Sequence, residues 1–243
     1  MILTIPGHPR RQNINVTADL VPLRLAVFDL AGTTVYDDSV VTQALLDALA
    51  HAGYEIGFDA INGRMGIPKP VAIREVLPGV DEATVELIHQ DFRRRIISHY
   101  KTHPDVREIA GATELFRTLR AAGVKVGLDT GFDRETTDAI FDRLAWNGEF
   151  DASATSDEVE RGRPAPDLIW RLMELTGVDD VRAVAKVGDT PSDLGEGTAA
   201  GCGWVIGVTY GTHSAAQLAN YSHTHLVDSV SALEQLLRSA ITA

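Results

Sequence analysis

From Leu23 onward, short β-branched and apolar runs alternate with longer stretches whose apolar residues recur every three or four positions. That alternation predicts strands and helices in turn, and so a parallel sheet with helices on its faces. The strand candidates are 25–29, 124–129, 150–154, 183–187 and 204–208. Between them, ATELFRTLRAAG sets Leu115, Phe116 and Leu119 on one helical face and stops at Gly123. PDLIWRLMELTG begins at Pro166 and ends at Gly177, the asymmetry expected of a helix start and stop.

One interval breaks the alternation. Nearly a hundred residues separate the first two strands, several times what a single crossover needs. They read as mostly helical: SVVTQALLDALAHAG, a short segment after Pro70, then DEATVELIHQDFRRRIISHY. In the last, Val85, Ile88, Phe92, Ile96 and Tyr100 recur at helical spacing, and Pro104 closes it. The expected architecture is α/β: a Rossmann-like parallel-sheet core over 23–37 and 105–243, with a helical cap domain inserted after the first strand at 38–104. Residues 1–22 read as a loosely attached N-terminal extension.

Composition narrows the function classes. At 243 residues and 44% apolar content the chain can bury a sizeable core. A formal net charge of −12 argues against nucleic acid as a partner, because no broad basic face is available. It leaves room for a small anionic substrate, since a metal or a few basic side chains can reverse the potential inside one cleft. The single cysteine, Cys202, forbids an intrachain disulfide and fits the cytoplasm. No apolar run approaches the roughly 20 residues that cross a membrane, and the first residues lack a signal-peptide pattern.

Asp29, Thr130 and Asp189 each end a predicted strand or follow directly on one. The carboxyl ends of parallel strands share one edge, where ligands bind. A lone aspartate after a strand is more often a turn or cap residue; three polar residues at corresponding ends outweigh that reading. In KVGDTPSDLGEG, Asp189 and Asp193 sit four apart across a turn into a helix, so both carboxylates can face one ion. With Asp29 they make a hard, oxygen-rich site suited to Mg2+. Asp193 can also cap the helix that begins near Leu194.

FDLAGTTV at 28–35, LDTG ending at Gly131, GRPAPD at 162–167 and VGDTPSD at 187–193 stand in the order and spacing of four motifs. They resemble those of the haloacid dehalogenase-like hydrolases, over about 25–240. The resemblance implies that Asp29 is the nucleophile taking up a phosphoryl group, that Thr130 binds that group and that Arg163 balances its charge. It also implies that Asp189 and the Ala31 backbone carbonyl hold Mg2+ with Asp29, while Asp193 supports the metal through a water. Phosphoryl transfer spreads negative charge over oxygens, so a metal, a cation and a hydroxyl around an attacking carboxylate are the parts it requires.

Ala31 stands where ester-cleaving relatives carry a second acid that protonates the leaving oxygen, and alanine cannot do this. A phosphorus–carbon bond needs a different device. Its electrons must land on carbon, and an iminium formed between a lysine and an adjacent carbonyl accepts them. The cap offers Lys69 in NGRMGIPKPVAIREVL. Alone it reads as a solvated loop charge, but Pro68 and Pro70 stiffen its backbone and Met65, Ile67 and Val71 supply apolar surface. Desolvation by those neighbours, with the nearby cation Arg64, would lower its pKa.

DxAGTT, the arginine in GRPAP and a lysine in a segment beginning Met-Gly together resemble the phosphonoacetaldehyde hydrolases and their phosphonatase-like relatives. This implies a Schiff base on Lys69, a substrate pocket including Thr33, Met65, Gly131 and Phe132, and a homodimer joined through the caps. Two positions depart from that pattern: Ala72 replaces a histidine and Phe132 replaces a tyrosine. The expected activity is Mg2+-dependent hydrolysis of phosphonoacetaldehyde or a related 2-oxoalkylphosphonate. The rivals are a phosphatase of small esters and a degenerate binder of a phosphorylated ligand.

Overall fold

The run Leu-Ala-Val-Phe-Asp carries no polar side chain before its last residue, which suits a strand buried on both faces. In the computed structural model, which describes residues 21–242, it forms β1 (Leu25–Asp29), every residue of it buried. The extension expected at 1–22 lies almost wholly outside the described residues. After β1 come α1 (Val40–His51), α2 (Phe58–Asn62), α3 (Lys69–Val76), α4 (Glu82–Thr102) and α5 (Ala112–Ala121). The chain continues through β2 (Lys125–Thr130), α6 (Arg134–Leu144), β3 (Ala152–Thr155), α7 (Asp167–Thr176), β4 (Val184–Gly188) and α8 (Pro191–Ala200). It ends with β5 (Trp204–Val208), α9 (Ala215–Leu218), β6 (His225–Val227) and α10 (Val230–Ile241).

The strands pair in parallel, in the order β3-β2-β1-β4-β5-β6. Asp29 stands level with Asp129, and Phe28 with Val187, so Asp29, Thr130 and Asp189 emerge together at the carboxyl edge. Alternate residues of β1 serve opposite layers. Ala26 and Phe28 pack with Phe116 of α5, whose ring centroid lies 5.3 Å from that of Phe28. Leu25 and Val27 pack with Leu168 and Leu172 of α7.

Differences from the expected strands are small and local. β3 begins at Ala152 rather than at 150, because Asp151 uses both its backbone N–H and its carboxylate on Val126 and so ties the strand start with a side chain. β6 was not among the candidates; its three half-buried residues carry no readable period.

The interval between β1 and α5 is helical, as its pattern predicts. In α4 the buried face includes Val85, Ile88, Phe92, Ile96 and Tyr100, and Asp81 caps its start by accepting from the Thr84 N–H at 2.9 Å. Arg93 of α4 reaches α6 through Asp133 at 3.0 Å and Glu135 at 2.7 Å, tying the inserted helices to the sheet-bearing part. The segment before α3 is seated directly on the sheet edge. A Cβ on Gly131 would stand 2.9 Å from the Gly66 carbonyl oxygen and 3.0 Å from that of Ile67, so only glycine admits this approach. Among the described residues no helix is long and apolar enough to cross a membrane.

Candidate active site

Three strand ends and the segment before α3 enclose a cleft of about 350 Å³ including its mouth. Asp29, Ala31, Thr130, Gly131 and Phe132 line it from the sheet edge. Met65 and Lys69 line it from the inserted helices, and Asp37 from the turn before α1. Asp29 is nearly fully buried, and the Thr34 hydroxyl donates to its backbone carbonyl at 2.8 Å, which shapes the turn after β1. The Thr130 hydroxyl oxygen accepts from the Phe132 N–H at 3.2 Å, leaving its proton free for a ligand.

Thr33 does not line the cleft. Its hydroxyl donates to Asp189 at 3.1 Å, and the Thr212 N–H donates to the other oxygen at 2.6 Å, so Asp189 is held from two loops. Asp193 also turns away from the cleft. One of its oxygens closes a capping box with Thr190 at the start of α8, and the other meets Arg163 at 2.7 Å and Lys186 at 3.1 Å. Its capping role is therefore present, together with an ion-pair role that local pattern does not reveal.

Arg163 lies behind the Asp29 carboxylate, not in the cleft. It meets Asp29 at 2.7 Å, Asp193 at 2.7 Å, Asp129 at 2.8 Å and Glu196 at 3.2 Å, and its side chain is fully buried. Lys186 joins the same network through Asp129 at 2.5 Å and Glu196 at 2.9 Å. A charge in a buried strand must find such partners, and the lysine within the apolar run VAKVG was the one sequence signal for them.

Five buried carboxylates (Asp29, Asp129, Asp189, Asp193 and Glu196) thus face three buried cations (Lys69, Arg163 and Lys186). The excess of negative charge appears as raised proton affinity. Burial pushes Asp29 up to about 8 against the pull of Arg163, and Asp189, with Asp193 nearby, up to about 6. Glu196 is pushed well above the usual carboxylate range by burial and by Asp129. With all five ionised, the excess is two negative charges, which suits a divalent cation. Asp29, Asp129 and Asp193 bring oxygens within 4.8 Å of one another, but Arg163 and Lys186 already fill that space. Asp29 and the Ala31 carbonyl of the cleft wall, with the buried Asp189, are the oxygen donors the resemblance implies, and their chemistry fits a hard ion.

Lys69 is buried at the first residue of α3, with Pro68 before it and Pro70 in the first turn. Its Nζ lies 5.5 Å from the Phe132 ring centroid and 5.9 Å from that of Phe92, and 3.5 Å from the Ile67 carbonyl oxygen. Burial lowers its pKa to about 8; Arg163 adds to this, while Asp29 and Asp37 oppose it. The expected cation was Arg64, which instead pairs with Glu75 at 3.0 Å on the surface. Val71, expected to shield the stem, is exposed; Phe92 and Phe132 shield it instead. Ala72, where the resemblance called for histidine, is fully buried on α3. Asp37 escaped the sequence reading because it reads locally as a turn residue, and Phe92 was legible there only as a core residue of its helix.

A family model described as haloacid dehalogenase-like hydrolase matches residues 26–207. A phosphonoacetaldehyde hydrolase of Bacteroides fragilis is 33% identical over 214 residues, covering 81% of this chain and 80% of that protein. The crystal structure of a phosphonoacetaldehyde hydrolase-like protein from Oleispira antarctica superposes with a TM-score of 0.80 at 22% identity, covering 92% of this chain and 94% of the other. A hydrolase from Pseudomonas syringae superposes with a TM-score of 0.81 at 19% identity, covering 90% and 99%.

Proposed function

This chain belongs to the haloacid dehalogenase-like hydrolases, and we propose that it cleaves the carbon–phosphorus bond of phosphonoacetaldehyde or a related 2-oxoalkylphosphonate, with Mg2+ as cofactor. The observation that carries this reading is a buried lysine of lowered pKa sharing one cleft with the Asp29 carboxylate, where position 31 offers no acid. The name of the Bacteroides fragilis relative points the same way.

In this reading residues 38–104 act as a cap that brings Lys69 over Asp29. The neutral Lys69 amine attacks the substrate carbonyl, and loss of water leaves an iminium next to the carbon that bears phosphorus. Asp29 then attacks phosphorus. The electrons of the carbon–phosphorus bond move into the iminium, so the carbon fragment departs as an enamine on Lys69 and the phosphoryl group stays on Asp29. Water hydrolyses the aspartyl phosphate, and protonation followed by hydrolysis frees the aldehyde or ketone from Lys69. The Thr130 hydroxyl donates to a phosphoryl oxygen, and Arg163 orients Asp29 from behind and favours its ionised form. Asp29, Asp189 and the Ala31 carbonyl would hold Mg2+, which when bound offsets the charge of the phosphoryl oxygens.

Sodium borohydride added with phosphonoacetaldehyde tests the reading. It should inactivate the enzyme irreversibly and add mass to the peptide carrying Lys69, while Asp29→Asn should abolish phosphate release. Retention of a tenth of turnover by Asp29→Asn, a loss of only about 1.4 kcal/mol in the barrier, would contradict the covalent role. Strong hydrolysis of sugar phosphates with no cleavage of any oxo-phosphonate would favour a small-ester phosphatase.

A further inference from the structure

We propose that Asp37 is the acid–base group at the carbon end of the cleft, passing protons to and from the adduct that the substrate forms with Lys69. This rests on the imine reading above. Imine chemistry requires three proton transfers there. The carbinolamine hydroxyl leaves as water only when protonated, the enamine carbon must gain a proton after phosphorus departs, and the water attacking the imine must lose one. Ala72 offers no proton, and Lys69 is itself bonded to the substrate during these steps.

Asp37 has the placement this work needs. It lines the cleft with Lys69 and Asp29 although it belongs to the turn before α1. Its Oδ1 accepts from the Val40 N–H at 2.7 Å and the Val41 N–H at 3.3 Å, which fixes the carboxyl group at the helix start. Ser39, with φ 61°, makes the left-handed turn between Asp37 and α1. Oδ2 accepts no hydrogen bond from the described residues. Asp37 and Lys69 line the same cleft and lie in each other's electrostatic surroundings without forming an ion pair. Burial raises the proton affinity of Asp37 above that of an ordinary carboxylate despite the two N–H donors.

The neighbouring alternatives fit less well. The Tyr100 phenol is pushed well above its usual pKa by burial and by Asp37 and Asp29, and it does not line the cleft. His89 on α4 has Lys69 in its surroundings, but it faces Glu86 at 3.8 Å and also lies outside the cleft lining. In the proposed sequence, protonated Asp37 gives its proton to the carbinolamine oxygen as the carbon–oxygen bond breaks, and the nitrogen lone pair forms the iminium. After carbon–phosphorus cleavage, Asp37, reprotonated from solvent, protonates the enamine carbon. The Asp37 carboxylate then takes a proton from the water that adds to the regenerated iminium.

The test is the rate at which borohydride traps Lys69 in the Mg2+-loaded enzyme with phosphonoacetaldehyde. Asp37→Asn keeps an oxygen acceptor for the Val40 N–H, so the helix start and the melting temperature should be preserved. We expect its trapping rate to fall at least tenfold, with recovery in Asp37→Glu and in proportion to added formic or acetic acid. An unchanged rate, a loss that neither remedy restores, or a loss seen in His89→Gln but not in Asp37→Asn would overturn the proposal. If the unsubstituted enzyme forms no Lys69 adduct, the imine reading itself falls and this proposal with it, a failure distinct from the other three.

Discussion

Replacing Lys69 with methionine should make the protein more stable and inactive at once. The side chain is fully buried, and its pKa falls from 10.5 to about 8, chiefly through burial. At neutral pH the folded state must carry an ammonium that the cleft disfavours by about 3 kcal/mol. Methionine fills a similar volume without that charge. It gives up the cation–ring contacts with Phe92 and Phe132, which at 5.9 and 5.5 Å lie near the outer limit of such contacts, and gains sulfur–ring contacts in exchange. A net gain of about 2 kcal/mol remains, or about 4–8 °C in Tm for a chain of this size. The pH dependence gives the sharper test. Because the folded value lies below the unfolded one, the folded state binds fewer protons between about 8 and 10.5, and wild-type stability rises with pH there. Below about 8 both forms carry the proton and the penalty is complete. Urea unfolding of both proteins in EDTA at about pH 7 and about pH 9.5 should therefore show the advantage of Lys69→Met shrinking by about 2 kcal/mol. Titrating groups remote from Lys69 are common to both proteins and cancel in the difference. Equal stabilities at neutral pH, or a gap that does not change with pH, would refute the burial argument.

Mg2+ binding should release protons near neutral pH, because burial holds Asp29 up to about 8 and Asp189 up to about 6 without a metal. Calorimetry in buffers of different ionisation enthalpy measures that release, and affinity should weaken as pH falls; binding with no proton release would contradict the assignment of these ligands. Gly131→Ala should raise KM and lower kcat/KM at least tenfold, since its Cβ meets two backbone carbonyls of the segment carrying Lys69, neither of which can rotate aside. Unaltered steady-state kinetics would mean that this seating does not matter for turnover. Ala31→Asp should raise hydrolysis of an alkyl phosphate ester by supplying an acid at the leaving oxygen, a contribution of roughly 10²–10⁴-fold when well aligned. No gain would show that the missing acid is not what limits ester chemistry.

Much of the fold was legible because its signals are local or follow from topology. The runs at 25–29 and 204–208 form strands with the bounds their apolar patterns indicate, and the buried face of α4 includes the five residues its spacing singled out. Asp29, Thr130 and Asp189 could be assigned to one edge because parallel strands share their carboxyl ends whatever their separation along the chain. Lys69, Met65, Gly131 and Phe132 do meet in one cleft. Tertiary structure alone decided what surrounds each charge. It set Arg163 behind Asp29, turned Thr33 onto Asp189, committed Asp193 to Arg163 and Lys186, and brought Asp37 into the same cleft as Lys69. Periodicity reports which face of an element is buried. The protonation of a buried carboxylate or lysine depends instead on the charges within a few ångströms in a medium that screens them weakly, and in this chain those charges come from segments as much as 167 residues apart, as Asp29 and Glu196 do around Arg163.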